Sequence, residues 1–194
     1  MRGPRLLFVI AMAIATMCAA IMFATHEPTL VVRWTARTSL LLFVLAYVAR
    51  PATALWPSST TKWLLRERKW IGDGFAVSHL AHLAGIVALA APDVGGFARK
   101  QDPSLVIALA MFAVLFAMAI TSIDRVRAAM SKRAWNALHR TGMHLAWFIF
   151  TVTYAGRLAR SPVWGLPLAV LVGIAAVRFA VWRRSARRRV SVTA

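Results

Sequence analysis

The sequence predicts an all-α integral membrane protein, a six-helix bundle with its N-terminus and C-terminus in the cytoplasm. Three observations predict it. Hydrophobic residues fill 60% of 194 positions, where a soluble domain has roughly 45–50%. They gather in six runs, near 6–25, 34–53, 75–91, 103–121, 135–154 and 163–182, each close to the ~20 residues a spanning helix needs. Lys and Arg are also unevenly placed. With a cytoplasmic N-terminus, 18 of the 24 fall on the cytoplasmic side and 6 on the other, the bias that orients short-looped membrane proteins. Reversing the chain, or making the number of spans odd, would spoil that bias.

The first run follows Arg2 and Arg5 and contains "ATMCAA". It exceeds the about 7–15 apolar residues of a signal peptide, so a retained helix is expected. Its Cys18 is the one cysteine, which excludes an intrachain disulfide and reads as a small packing residue. The second run opens at Trp34; Trp135, Trp164 and Trp182 also fall at run ends, where indole rings favour the interface. Between runs two and three, "LWPSSTTKWLLRERKW" is amphipathic. It reads either as an interfacial segment with Trp63 and Leu64 in the headgroup layer or as an ordinary loop. The third run is the shortest and the weakest by hydropathy. All six acids lie outside the apolar centres, which weighs against an acid-driven transporter. Residues 1–182 form a single transmembrane domain, and 183–194, "RRSARRRVSVTA", a disordered basic cytoplasmic tail on anionic lipid. The net charge of +18 is spread between and beyond the apolar runs without a nucleic-acid-binding motif. The lipid bilayer, not nucleic acid, is the expected partner.

Four of the five histidines lie inside apolar runs: His79 and His82 in "AVSHLAHLAGIVALAA", His139 and His144 in "WNALHRTGMHLAWFIF". Intramembrane ionisable residues are costly and usually functional. For one such histidine, a hydrogen bond to a neighbouring helix is as good a reading as ligation. Four in two runs point to ligation, and neutral imidazole is a common metal ligand that also holds haem iron. No cysteine or carboxylate accompanies them, which disfavours a Cys-containing zinc site. An all-His zinc or copper site stays open. A b-type haem between two helices fits better. Gly85 follows His82 by three residues and Gly142 follows His139 by three. Residues three apart share a helix face, so each glycine removes a side chain that would meet a flat macrocycle. His79 and His82 lie about 60° apart around a helix, and His139 and His144 about 140° apart, so the latter two cannot share one iron. His82 with His139 is the expected iron-ligating pair, with His79 and His144 supporting. Depth counted from the helix starts pairs His79 with His139 and His82 with His144 instead.

"TSIDRVRAAMSKRAWNALHRTGMHLAW" resembles the ferric reductase-like transmembrane domain family. That family includes the membrane parts of ferric reductases and NADPH oxidases, and the haem subunit of the periplasmic methionine sulfoxide reductase system. The resemblance rests on a W-x-x-L-H-R element, Trp135, Leu138, His139 and Arg140, and on a basic–glycine lead-in, Arg68, Lys69 and Gly72, ten residues before His82. It covers residues 34–182 and implies a bacterial inner-membrane, multi-pass protein with haem b between helices three and five. Transmembrane electron transfer would be its activity. Two-haem members carry a further histidine about thirteen residues after the L-H-R histidine; here that position is Val152, so one haem is expected. No G-x-G-x-x-G fingerprint or flavin domain is present. The resemblance therefore implies a flavin or quinone carried by a partner, a separate flavoprotein or a quinol as donor, and a periplasmic redox partner as acceptor. Arg140 is placed to pair with a haem propionate or to snorkel at the interface. Ser39 or Ser78 could orient an imidazole, and Met143, Trp147 and Phe150 could line the pocket; helix packing also explains all five. The rival readings are a non-redox metal- or haem-binding protein and a small transport or scaffold protein.

Overall fold

The computed structural model describes residues 3–101 and 104–193, and every regular element among them is helical. The order is α1 (Pro4–Thr25), α2 (Pro28–Leu55), α3 (Ser59–Ala90), α4 (Val94–Gln101), α5 (Ser104–Thr121), α6 (Asp124–Ala128), α7 (Lys132–Leu158), a 3₁₀ turn (Pro162–Trp164) and α8 (Gly165–Thr193). Arg2, Asp102 and Pro103, and the side chains of Lys100, Arg187, Arg188 and Arg189, all used in the sequence reading, lie outside the described residues.

Among the described residues, four stretches are long and apolar enough to cross a membrane: Pro4–Thr25, Pro28–Leu55, Ser59–Ala90 and Pro162–Ala186. The chain is a multi-pass membrane protein. Two of the six expected runs fall short of that standard for different reasons. α5 is an 18-residue helix without a charged residue, of which Val106–Thr121 has described side chains. α7 has 27 residues, but Lys132, Arg133, Arg140 and Arg157 dilute it. The third run, expected to be the weakest, passes because its helix begins ahead of Phe75 and so gives the apolar stretch its length.

That early start revises the reading of "LWPSSTTKWLLRERKW", most of which is the first half of α3. Pro57 ends the preceding segment, and Ser58 Oγ accepts from Thr61 N at 3.2 Å, a capping arrangement. Good helix formers follow with no glycine or proline until Gly72. Glu67, within this stretch, is buried and paired with Arg66 at 3.0 Å. At the other end, α8 passes Trp182 without a break, where an irregular tail was expected; arginine and alanine are good helix formers. The fifth histidine, His26, ends α1 in the left-handed conformation at φ 52°, and Pro28 opens α2, the position where its missing N–H costs nothing.

The chain divides into two compact units, Met1–Phe43 with Lys69–Gly142, and Val44–Arg68 with Met143–Ala194. In the first, Phe43 and Phe75 pack with ring centroids 5.7 Å apart, and Leu115 is also buried. In the second, Pro51 lies inside α2. A proline has no N–H for the carbonyl four residues back, which here is that of Tyr47. Arg178 Nη1 donates to that oxygen at 3.3 Å, and Arg68 Nε donates to the adjacent Ala46 carbonyl at 3.0 Å.

Candidate functional site

In the first unit, α2 and α3 face each other with matched polar residues. Thr35 and Ser39 sit four apart on α2, Ser78 and His82 four apart on α3. Four-residue spacing puts each pair on one helix face. Ser39 Oγ donates to Ser78 Oγ at 2.9 Å, and Ser78 Oγ donates to the Thr35 carbonyl at 3.1 Å. Thr35, Ser39 and Ser78 are fully buried. The two serines bond along this ladder, and Thr35 stands beside the imidazole in the role expected of them.

His82 Nδ1 lies 3.0 Å from the Val32 carbonyl and 3.2 Å from Thr35 Oγ1. A carbonyl only accepts. The Thr35 hydroxyl meanwhile donates to the Val31 carbonyl at 2.6 Å. His82 is thus assigned the Nδ1–H tautomer, which puts the lone pair on Nε2. An imidazole whose Nδ1–H is held by a backbone carbonyl is the usual form of a metal-ligating histidine, oriented and made more basic by its acceptor. His79 is buried beside it, with ring centroids 5.5 Å apart. Phe75 at 5.2 Å and Phe112 at 5.1 Å enclose the His79 ring, and Phe112 also stacks on His82 at 6.4 Å.

His139 meets the other end of α5. Its ring stacks on Trp135 at 4.1 Å, the pairing expected of residues four apart. Both rings grip Thr121, the last residue of α5. Trp135 Nε1 donates to the Thr121 carbonyl at 3.0 Å, and His139 Nε2 lies 3.2 Å from Thr121 Oγ1. That hydroxyl donates to the Ala117 carbonyl at 2.7 Å, so His139 donates from Nε2. The nitrogen that would ligate iron is the one turned to Thr121.

The structure therefore brings His79 and His82 together and sets His139 apart. Phe112, at the first pair, and Thr121, at His139, are nine residues apart on α5, a rise of about 13 Å. As placed, His82 and His139 do not form a bis-histidyl site. The donor chemistry at His82 alone fits an axial haem ligand. Among the described residues no group of three or more His, Cys, Asp or Glu could hold a metal ion, so the all-His zinc or copper alternative has no ligand set there.

The expected glycine cradles hold neighbouring helices. A Cβ on Gly85 would lie 2.8 Å from Val32 Cγ2 of α2. A Cβ on Gly142 would overlap Met118 Sδ and lie 3.0 Å from Val114 Cγ1, both on α5. Arg140 is exposed on α7. In the second unit, His144 is exposed, with Nδ1 2.9 Å from Tyr47 Oη and Arg178 Cζ 4.1 Å over the Tyr47 ring. Trp147 Nε1 donates to the Leu171 carbonyl of α8 at 3.0 Å, and Met143 is buried.

Residues 9–153 match the family described as the ferric reductase like transmembrane component, a stretch that runs from within α1 through α3 and most of α7. No curated protein and no solved structure matches. Because the matched residues are well over half of the sequence, the chain belongs to the ferric reductase-like transmembrane component family.

Proposed function

We propose that the chain is the haem-bearing electron-transfer component of a bacterial inner-membrane oxidoreductase. The observation that carries the reading is His82: an imidazole inside an apolar helix, its Nδ1 at 3.0 Å from a backbone carbonyl, in a chain of the ferric reductase-like family. One b-type haem would be held by His82 from α3 and a histidine from α7. Bound there, it would accept and release single electrons. On α7 the W-x-x-L-H-R element favours His139, which would have to exchange Thr121 for iron and come level with His82. The electron donor is a separate flavoprotein or a quinol, and the acceptor is a partner on the periplasmic side.

A reduced-minus-oxidised spectrum of the purified protein tests the reading. A sharp low-spin haem b signal is expected, and its absence overturns haem binding altogether. The α7 ligand is read from two variants. His139→Ala is expected to lose the low-spin signal while His144→Ala keeps it; the opposite result assigns the α7 ligand to His144 and overturns the choice of His139.

We propose six spans, with α5 and α7 crossing alongside the four long apolar helices, and both termini in the cytoplasm. The support is the 18-to-6 distribution of Lys and Arg. Reporter fusions after residue 194 and within 92–102 are expected to report cytoplasm and periplasm respectively. A periplasmic C-terminus would sink the six-span arrangement.

A further inference from the structure

A cavity of about 440 Å³ opens beside α3, wholly within the first unit. One end is polar, formed by Lys69, Asp73, Ser122 and Asp124; the other is apolar, with Leu7, Val77, Leu80 and Phe116 in its walls. Trp70 lies in the wall near the polar end. From Lys69 to Leu80 the cavity follows α3 for about 16 Å, so it is shaped for a molecule with a polar head and an apolar tail.

The polar end has an uncommon chemistry for this chain. Only 6 of 194 residues are acidic, and two of them, Asp73 and Asp124, are here. Lys69 Nζ is bonded to Asp124 Oδ1 at 3.1 Å and lies 4.9 Å from the Trp70 ring centre. Ser122 Oγ donates to the Met118 carbonyl at 2.9 Å. The Ser122 side chain is also hydrogen-bonded to Asp73, so what remains for a ligand is the rest of the Asp73 carboxylate's acceptor capacity. An anionic lipid head would meet two carboxylates against one ammonium. A neutral head carrying hydroxyl donors is complementary, and Trp70 and Phe116 line the cavity with aromatic surface. The Lys69–Asp124 pair, whose carboxylate is 86% exposed, is the kind of surface ion pair worth little, and it can open to admit such a head.

The apolar end leads to the histidines. Phe116 stacks on Phe112 at 6.1 Å, and Phe112 is the residue that contacts both His79 and His82. We infer that this cavity binds the head of a lipid-soluble hydroquinone, with a ring hydroxyl donating to Asp73 and the tail leaving past Leu80. The inference rests on the electron-transfer reading for its ligand class and assigns the donor's place. Its test reads binding alone.

Decylubiquinol and its oxidised form, decylubiquinone, are added to the purified full-length chain in detergent, and quenching of tryptophan fluorescence is followed. The quinol is expected to quench saturably, and the quinone, which offers only acceptors, about tenfold more weakly. Asp73→Asn replaces a charged acceptor by a neutral one, which roughly halves the hydrogen-bond strength, and should weaken the quinol about tenfold. Ala119→Phe fills the cavity and should abolish saturation. Asp73→Asn keeps the side chain's shape, so the test stands even if Ala119→Phe fails to fold. Purely linear quenching in the parent, equal affinity in Asp73→Asn, or displacement of the quinol by dioleoylphosphatidylglycerol would each overturn the inference, the last by assigning the groove to phospholipid. The haem spectrum of the same preparations reports separately on the electron-transfer reading.

Discussion

Replacing His82 with alanine is expected to abolish the low-spin haem b signal, with haem content falling several-fold or the remaining iron turning high-spin. The reason is positional. His82 lies on the α3 face turned to α2, where Val32 and Thr35 hold its Nδ1 and direct Nε2 away from them. No other α3 side chain takes its place. His79 is three residues back, about 60° around the helix, and its ring is enclosed by Phe75 and Phe112. His79→Ala should therefore keep the low-spin signal. Thr35→Val should keep it as well, because the Val32 carbonyl still accepts the Nδ1 proton; removing a neighbour that orients a ligand typically costs 10–100-fold in affinity, and here only the longer of two contacts is lost. If His79→Ala loses the signal and His82→Ala keeps it, the α3 ligand is His79, and the Nδ1 contact at Val32 is a structural bond between helices. Visible spectra and haem-to-protein ratios of the three variants decide.

The helices were legible because a span leaves a composition signature twenty residues long: 6–25 and 34–53 fall inside α1 and α2, and 163–182 begins in the 3₁₀ turn and continues through α8. The start of α3 was not legible, because hydropathy detects the apolar part of a helix and is silent on the charged turns before it; only the cap at Ser58 marks that end. The site was legible in residue type and not in pairing. Imidazole inside an apolar run is visible in any listing of the residues. Which nitrogen each ring presents depends on partners a single sequence does not connect, the Val32 carbonyl for His82 and the Thr121 hydroxyl for His139. Thr35 was overlooked although a signal existed. Two apolar helices each carrying polar residues four apart, Thr35 with Ser39 and Ser78 with His82, are what a hydrogen-bonded pair of spanning helices requires. The offset of His139 from His82 has the direction that depth counted from the helix starts gives, which sets His139 nearer the level of His79.

Alanine at Gly85 or Gly142 is expected to destabilise the protein whether or not haem is bound, by about 1–3 kcal/mol, the usual cost of overpacking. From the sequence, the two glycines leave room for a macrocycle. Their surroundings say that they let helices approach. At Gly85 the new methyl would meet Val32 Cγ2 at 2.8 Å, with the Val32 backbone N at 3.6 Å behind it. Valine is β-branched and stiff at χ1, so α2 itself must move. At Gly142 the methyl would fall on Met118, whose flexible chain can partly withdraw, so the loss should be the smaller of the two. The readouts also differ. Val32 supplies the carbonyl that holds His82, and displacing it should perturb the haem spectrum together with stability. Gly142→Ala should lower the unfolding temperature alone, and Met118→Ala added to it should restore part of the loss, since the two substitutions touch and are not additive. Thermal unfolding of the haem-free protein in detergent separates the two explanations. If Gly85→Ala leaves its unfolding temperature unchanged and lowers only haem content, the glycine makes room for the macrocycle; if the temperature falls without haem present, it is the close approach of α2 to α3 that excludes a side chain.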